Sequence, residues 1–370
     1  MRVGILTFHA AYNYGAVLQC YALQTYIESL GHDVNVIDYR LKPLLRVYKT
    51  FDIRRFLSSN PLRCWRKCLR ETRLLPWRWR RRDAFEAFIG SRLHLASVDS
   101  IADTPYDVII VGSDQVWNTA LTDGYDPYYW ASFEHPDGTS VVAYAASMEG
   151  DPSADKRAQL SRRLRGFSRI SVREASLAAL LGENHIAAVD VVDPTLLLPA
   201  SHWSALAGER LVTDDYLFLY EVNPHPQAEE IARQIARQLR LRVVTLAALL
   251  EANTTPLAFT ASPQTFLSLA RHAAFVVASS FHGTVFAIQF RRPFVSVRSA
   301  SGLDSRVANL LAQVGLQDRF VADADSERIA KWAAPLPAVS LDTDARRRSV
   351  AFLHEVLTDN NNEHESSLHT

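Results

Sequence analysis

The sequence is short of sulfur, of net charge and of long apolar runs, and each shortage closes off a class of protein. Its three cysteines, Cys20, Cys64 and Cys68, are too few and too oddly numbered for a disulfide framework. Cys64 and Cys68 also lack the further Cys or His partners of a zinc site, so a reducing compartment with no structural metal is expected. No stretch reaches the ~18 apolar residues of a membrane span, and the opening MRVGILTF is a strand-length run rather than a charged segment leading into a long apolar one. The cytoplasm is therefore the expected location. Lys and Arg total 40 against 40 Asp and Glu, a balance that argues against a general nucleic-acid-binding surface.

What remains is an ordinary globular composition, 48% hydrophobic and 22% charged, in a chain of 370 residues. That length exceeds what one hydrophobic core usually fills, so two domains are expected. A strand from Arg2 to Phe8, a polar turn through Asn13 and Gly15, a helix to about Leu30 and a second strand from Asp33 to Tyr39 make a βαβ unit. Further strands are expected at Asp107 to Val111, Ser140 to Ala145 and Arg169 to Val172, in parallel because helices separate most of them. A second β-α-β series begins near Asp215 with the buried-strand pattern Tyr216 to Tyr220 and continues through strands at Arg242 to Leu246, Phe275 to Ala278 and Phe294 to Val297. This gives an α/β protein of two Rossmann-like domains, residues 1–195 and 196–358, followed by a disordered polar tail, 359–370. No internal repeat shorter than a domain is evident.

The loop Ser279-Ser280-Phe281-His282-Gly283-Thr284 follows one of these apolar runs and precedes a helix expected from Gly283 to Phe290. In open α/β sheets ligands bind beyond the carboxyl ends of the strands, where helix N-termini offer free N–H groups to anions. Here Gly283 allows close approach, Ser279, Ser280 and Thr284 can donate to phosphate, and His282 can exchange a proton near neutral pH. Spacing alone leaves open that Ser280 or Thr284 merely caps the helix while His282 packs. Asn13 and Gly15 hold the matching position in the first domain, without the glycines of a dinucleotide fingerprint, and Ser113 and Asp114 end another strand there. Arg173, Arg298 and Arg306 follow strands, and a guanidinium suits carboxylate or phosphate, although each could equally serve a surface ion pair.

Six segments in order between residues 13 and 284 resemble the polysaccharide pyruvyl transferase family: Asn13 to Gln19 with Tyr21 to Gln24, Gly112 to Asn118, Tyr144 to Ser147, Val172 to Glu174, Asp193 to Thr195 and Ser280 to Thr284. The resemblance implies a GT-B-like pair of domains with the active site in the cleft between them. It also implies transfer of a pyruvyl group from phosphoenolpyruvate, as donor substrate and without a cofactor, to a sugar, giving a ketal and phosphate. His282 would be the general acid or base and Arg173 the clamp on the donor, while Asn13 and Ser113 would line the opposite wall. One departure stands out: family members often carry Arg-Leu-His-Gly where this chain has Ser280-Phe281-His282-Gly283, which leaves two readings, that Arg298 or Arg306 supplies the missing charge from a neighbouring loop or that another donor or acceptor is used. A GT-B glycosyltransferase using a nucleotide sugar and a non-catalytic glycan-binding relative are the rival readings, since fold does not settle function.

A basic helical insertion is expected at about residues 40–90, with fifteen Lys or Arg against Asp52 and Glu71 between Arg40 and Arg82. Interleaved with Trp65, Trp77 and Trp79, it suits an anionic membrane surface carrying a polyprenyl-diphosphate-linked acceptor. Packing as a lid over the cleft is the alternative.

Overall fold

The computed structural model describes residues 1–47, 61–148, 154–247, 260–298, 305–337 and 339–358. The expected tail and part of the basic insertion lie outside them. Seven parallel strands form the first sheet: β1 (Arg2–Leu6), β2 (Asp33–Asp38), β3 (Leu95–Ser97), β4 (Val108–Val111), β5 (Ser140–Ala146), β6 (Arg169–Val172) and β7 (Val189–Asp190). Their order is β3-β2-β1-β4-β5-β6-β7, the doubly wound arrangement whose direction of travel reverses between β1 and β4. The second sheet, also parallel, contains β8 (Tyr216–Glu221), β9 (Arg242–Ala247), β10 (Phe275–Ala278), β11 (Phe294–Val297) and β12 (Phe320–Val321). Its order, β12-β11-β10-β8-β9, reverses between β8 and β10.

Helices α1 (Tyr14–Ser29), α2 (Lys42–Val47), α3 (Pro61–Arg92), α4 (Ala154–Arg163) and α5 (Ala175–Glu183) serve the first sheet, and α6 (Ala200–Ala207) leads into the second domain. There α7 (Pro226–Leu239), α8 (Pro263–His272), α9 (Phe281–Gln289), α10 (Ser305–Gln313) and α11 (Ser326–Ala333) follow, with α12 (Asp344–Thr358) last. Both sheets read as doubly covered because alternate residues of each strand enter different cores. Val108 and Ile110 join one cluster, Ile109 and Val111 another; Tyr216, Phe218 and Tyr220 join the first, Leu217 and Leu219 a third. The first cluster spans both domains. Tyr14 of α1 stacks on Phe266 of α8 at 5.2 Å between centroids and meets Tyr220 edge-on at 5.9 Å, so the two Rossmann-like halves of this GT-B-like fold share an apolar core.

The C-terminal helix corrects the domain boundary. Arg348 of α12 pairs with Asp190 of β7, Ser349 Oγ accepts the Val192 N–H at 2.8 Å, and Arg346 donates to the carbonyls of Leu196 and Leu197, both at 3.1 Å. Phe352 and Leu353 are buried in the shared core. Residues 344–358 thus belong with the first domain rather than with 196–358, because the apolar face of α12 finds its partners there.

The α3 helix has two dissimilar faces. Leu74, Arg81, Phe85 and Phe88 point inward, and α3 packs on α8 across the domain junction. Near its end Glu86 takes a two-pronged hydrogen bond from Arg40 at 2.8 and 3.2 Å and another from Tyr12 at 2.8 Å, fastening α3 to the loops after β1 and β2. Trp65 and Trp79, on the opposite face, are 64% and 57% exposed. One face of α3 is thus packed against the protein and the other is left exposed.

Candidate active site

Both reversal points open onto one place. At the end of β10, Ser280 caps α9 by accepting the Gly283 N–H at 3.1 Å, which puts His282 in the first turn of the helix rather than in the loop before it. Gly283 is required by crowding: a Cβ there would come within 2.8 Å of the Ala278 Cβ and 2.9 Å of the Tyr220 ring. After β1, Asn13 caps α1 by accepting the N–H groups of Gly15 at 3.0 Å and Ala16 at 3.4 Å. The imidazole of His282 lies directly on this helix start, since a Cβ on Gly15 would fall 2.1 Å from Nδ1. Any side chain at position 15 would collide with the His282 ring unless that ring moved.

Behind His282 stands a buried carboxylate. Asp193 Oδ2 is 3.5 Å from His282 Nε2, accepts a hydrogen bond from Arg173 Nη1 at 2.8 Å, and takes a long one from Ser113 Oγ at 3.5 Å. Its Oδ1 accepts from the N–H of Thr195 at 3.0 Å and from the hydroxyl at 2.7 Å. Burial alone would push this carboxyl up, but His282, Arg173 and Thr195 outweigh it and hold Asp193 well below the usual carboxylate range. Arg173 is engaged in turn by Asp114 at 3.5 Å and Glu174 at 3.6 Å, and Ser147 donates to Glu174 at 2.6 Å. Burial works against the charge of Arg173, yet the three carboxylates, Asp193 foremost, hold its proton more firmly than usual.

The structure thus brings together His282, Gly283, Gly15, Asn13, Ser113, Asp114 and Arg173, but it gives several of them different work from that expected. The Arg173 side chain is 2% exposed and faces three carboxylates, Asp193, Asp114 and Glu174, while its Nε has no hydrogen-bond partner. Ser113 is fully buried behind Asp193. Thr284 is turned inward, its hydroxyl bonded to the Ser280 carbonyl at 3.0 Å and to Ser296 Oγ at 2.6 Å, and cannot also reach a phosphate in the cleft. Ser279 is half-buried, with its N–H on the Tyr220 carbonyl at 3.1 Å. Arg298 lies over the Phe320 ring and donates to the Phe320 carbonyl at 3.3 Å, and Arg306 is the second residue of α10.

Sequence reasoning passed over Asp193 as a site residue. Its Asp-Pro-Thr setting reads as a turn at the domain crossover, which it also is, since Asp193 caps the short helical turn Pro194–Leu196. The segment Gly112 to Asn118 is a self-bonded platform: Trp117 is fully buried with its indole N–H on the Tyr129 carbonyl at 2.8 Å, and Asn118 donates to Gln115 at 2.9 Å.

The family model for polysaccharide pyruvyl transferases matches residues 13–301, from the Asn13 cap to beyond the His282 helix. The chain belongs to the polysaccharide pyruvyl transferase family. No curated protein matches it. Among solved structures it is similar to UDP-GlcNAc 2-epimerase from Neisseria meningitidis bound to UDP-GlcNAc, at 10% identity and a TM-score of 0.49, covering 97% of this chain and 100% of that one. It is also similar to UDP-GlcNAc 2-epimerase from Methanocaldococcus jannaschii in complex with UDP-GlcNAc and UDP, at 12% identity and a TM-score of 0.49, covering 97% and 99%. Within the matched span, His282 and Asp193 form one pair across the domain junction.

Proposed function

We propose that the protein transfers the pyruvyl group of phosphoenolpyruvate to a sugar of an exopolysaccharide or other cell-surface glycan precursor, closing a ketal over two hydroxyls and releasing phosphate. The observation that carries this reading is the partly exposed His282 held at both reversal points, 3.5 Å from a carboxylate that stays ionised. The methylene carbon of the donor must gain a proton before its neighbour can be attacked. A proton held on His282 passes to that carbon, and the Asp193 charge answers the imidazolium before transfer, as a buried aspartate does in other His–Asp pairs. The electron-poor C2 then accepts the first sugar hydroxyl, which gives up its proton. The second hydroxyl displaces phosphate and gives up its own. Arg173, Thr195 and Ser113 act through Asp193 by fixing its charge and direction.

The acceptor we propose is held at an anionic membrane surface. What supports this is the outer face of α3, where the exposed Trp65, Leu69 and Trp79 stand beside the exposed Arg73 and Arg80. Tryptophan favours the headgroup region, and each basic residue near an anionic leaflet contributes about 1 kcal/mol. No described helix is long and apolar enough to cross a membrane. The full chain should sediment with anionic vesicles at low salt and be released at high salt, and Trp65→Ser with Trp79→Ser should weaken the binding. Absence of low-salt binding would remove the membrane contact and leave the chemistry untouched.

The chemistry is tested by incubating the protein with phosphoenolpyruvate and a panel of lipid-linked or nucleotide-linked sugars. Phosphate release matched by a mass gain on one sugar is the expected result. Turnover of a nucleotide sugar with no phosphate released from phosphoenolpyruvate would overturn it.

A further inference from the structure

A donor with a carboxylate and a phosphate needs a cation in the cleft, and Arg173 is already answered by three carboxylates. Arg81 is not. It projects from the inner face of α3 and is only 4% exposed. Its Nη1 donates to the carbonyl of Ala247, the last residue of β9, at 2.9 Å. The guanidinium carbon lies 5.1 Å from the centre of the Tyr14 ring and 5.5 Å from that of Phe85, so aromatic groups line it as well. Nε and Nη2 are buried with no hydrogen-bond partner, and no carboxylate among the described residues pairs with this arginine.

Those two nitrogens share one edge of the guanidinium, the edge that receives two oxygens of a carboxylate or phosphate in parallel hydrogen bonds. A buried charge left with that edge empty is costly to the folded protein. Arg319 offers a contrast. It is equally buried and its Nε also lacks a partner, but its Nη1 serves the carbonyls of Phe294 and Trp332, at the amino end of β11 and therefore away from the ligand edge of the sheet. Arg81 sits at the carboxyl end of β9 and against Tyr14, the residue before the glycine on which His282 rests.

We propose that Arg81 is the oxyanion-binding residue of the cleft, taking a carboxylate or phosphate side-on through Nε and Nη2. The phosphoenolpyruvate reading enters only in naming the ligand.

Thermal unfolding of the full chain with phosphoenolpyruvate, pyruvate, inorganic phosphate or UDP-N-acetylglucosamine tests this. Phosphoenolpyruvate should raise the wild-type midpoint, since a ligand that binds only the folded state stabilises it, and pyruvate and phosphate separately show which end Arg81 takes. Arg81→Met should unfold at the same or a higher temperature without ligand, because an unpaired buried charge is gone, and should lose the ligand-dependent rise. Arg81→Lys keeps charge without the fork and should weaken binding by about tenfold. A midpoint that falls in Arg81→Met while the full phosphoenolpyruvate response persists would overturn the proposal and make Arg81 a strut between α3 and β9. Should only UDP-N-acetylglucosamine stabilise the wild type, the donor reading fails, and Arg81 is judged by that response: its loss in Arg81→Met keeps the oxyanion site, its survival removes it. A wild type that responds to none of the four also overturns the proposal.

Discussion

On the first sheet's side of the cleft, Asp193, Arg173, Asp114, Glu174 and Ser113 answer one another in a buried network. On the second sheet's side, His282 stands at the start of a short helix with its side chain 12% exposed. The difference separates support from work. A closed network of opposed charges cannot readily turn toward a substrate without leaving a partner buried and unpaired, which is expensive. A histidine on a helix start, backed by that network on one edge, can exchange its proton while the support stays still. The two sides of the cleft are therefore unlike, and they meet where His282 lies on Gly15.

Opening the closed side should have the largest effect. Arg173→Met would leave Asp193, Asp114 and Glu174 without their shared cation, and chemical denaturation should show a loss of about 3–5 kcal/mol. A loss below about 1 kcal/mol would mean that the network is not closed in solution. Displacing the working side while sparing the network is the next test. Gly15→Ala places a methyl group on the imidazole ring and should lower turnover by about a hundredfold, the scale on which small misplacements of reacting groups act, with the fold retained by circular dichroism. Unchanged turnover would separate His282 from the chemistry.

Acid gives a smaller and more specific effect. Asp193 is held below its unfolded range, so the unfolded chain takes up a proton near pH 4 while the folded one does not, and stability falls as pH drops from there. Each affected carboxyl can contribute at most about 1.4 kcal/mol per pH unit. Asp193→Asn has no such proton to gain and should show a shallower acid limb in the unfolding midpoint; an identical limb would show that Asp193 is not held ionised.

Much of this comparison is legible in the sequence, and unevenly so. The central strands announce themselves as apolar runs, as in Val108 to Val111 and Phe275 to Ala278, and the reversal point at His282 follows from strand, small polar loop and helix in succession. The edge strands Leu95–Ser97, Val189–Asp190 and Phe320–Val321 are too short to show a period, so sheet neighbours define them. Gly15 and Gly283 are visible as glycines, but their need comes from a histidine ring and a tyrosine ring remote in sequence. Arg173 is harder still. Its partners Asp193 and Asp114 lie 20 and 59 residues away, and only the fold tells a clamp for substrate from a cation already paired. The return of α12 to the first sheet is likewise a tertiary choice, made by contacts such as Arg348 with Asp190 and Ser349 with Val192.

The central claim is that His282 of the second domain and Asp193 of the first act as one unit. The most direct test is a double-mutant cycle on turnover of phosphoenolpyruvate with His282→Gln, Asp193→Asn and both together. His282→Gln should lower kcat by about 10²- to 10⁴-fold, the range for losing a general acid or base. Adding Asp193→Asn to that variant should cost little more, because a support has nothing left to support. Effects that multiply independently would contradict the account and assign the two residues to separate tasks.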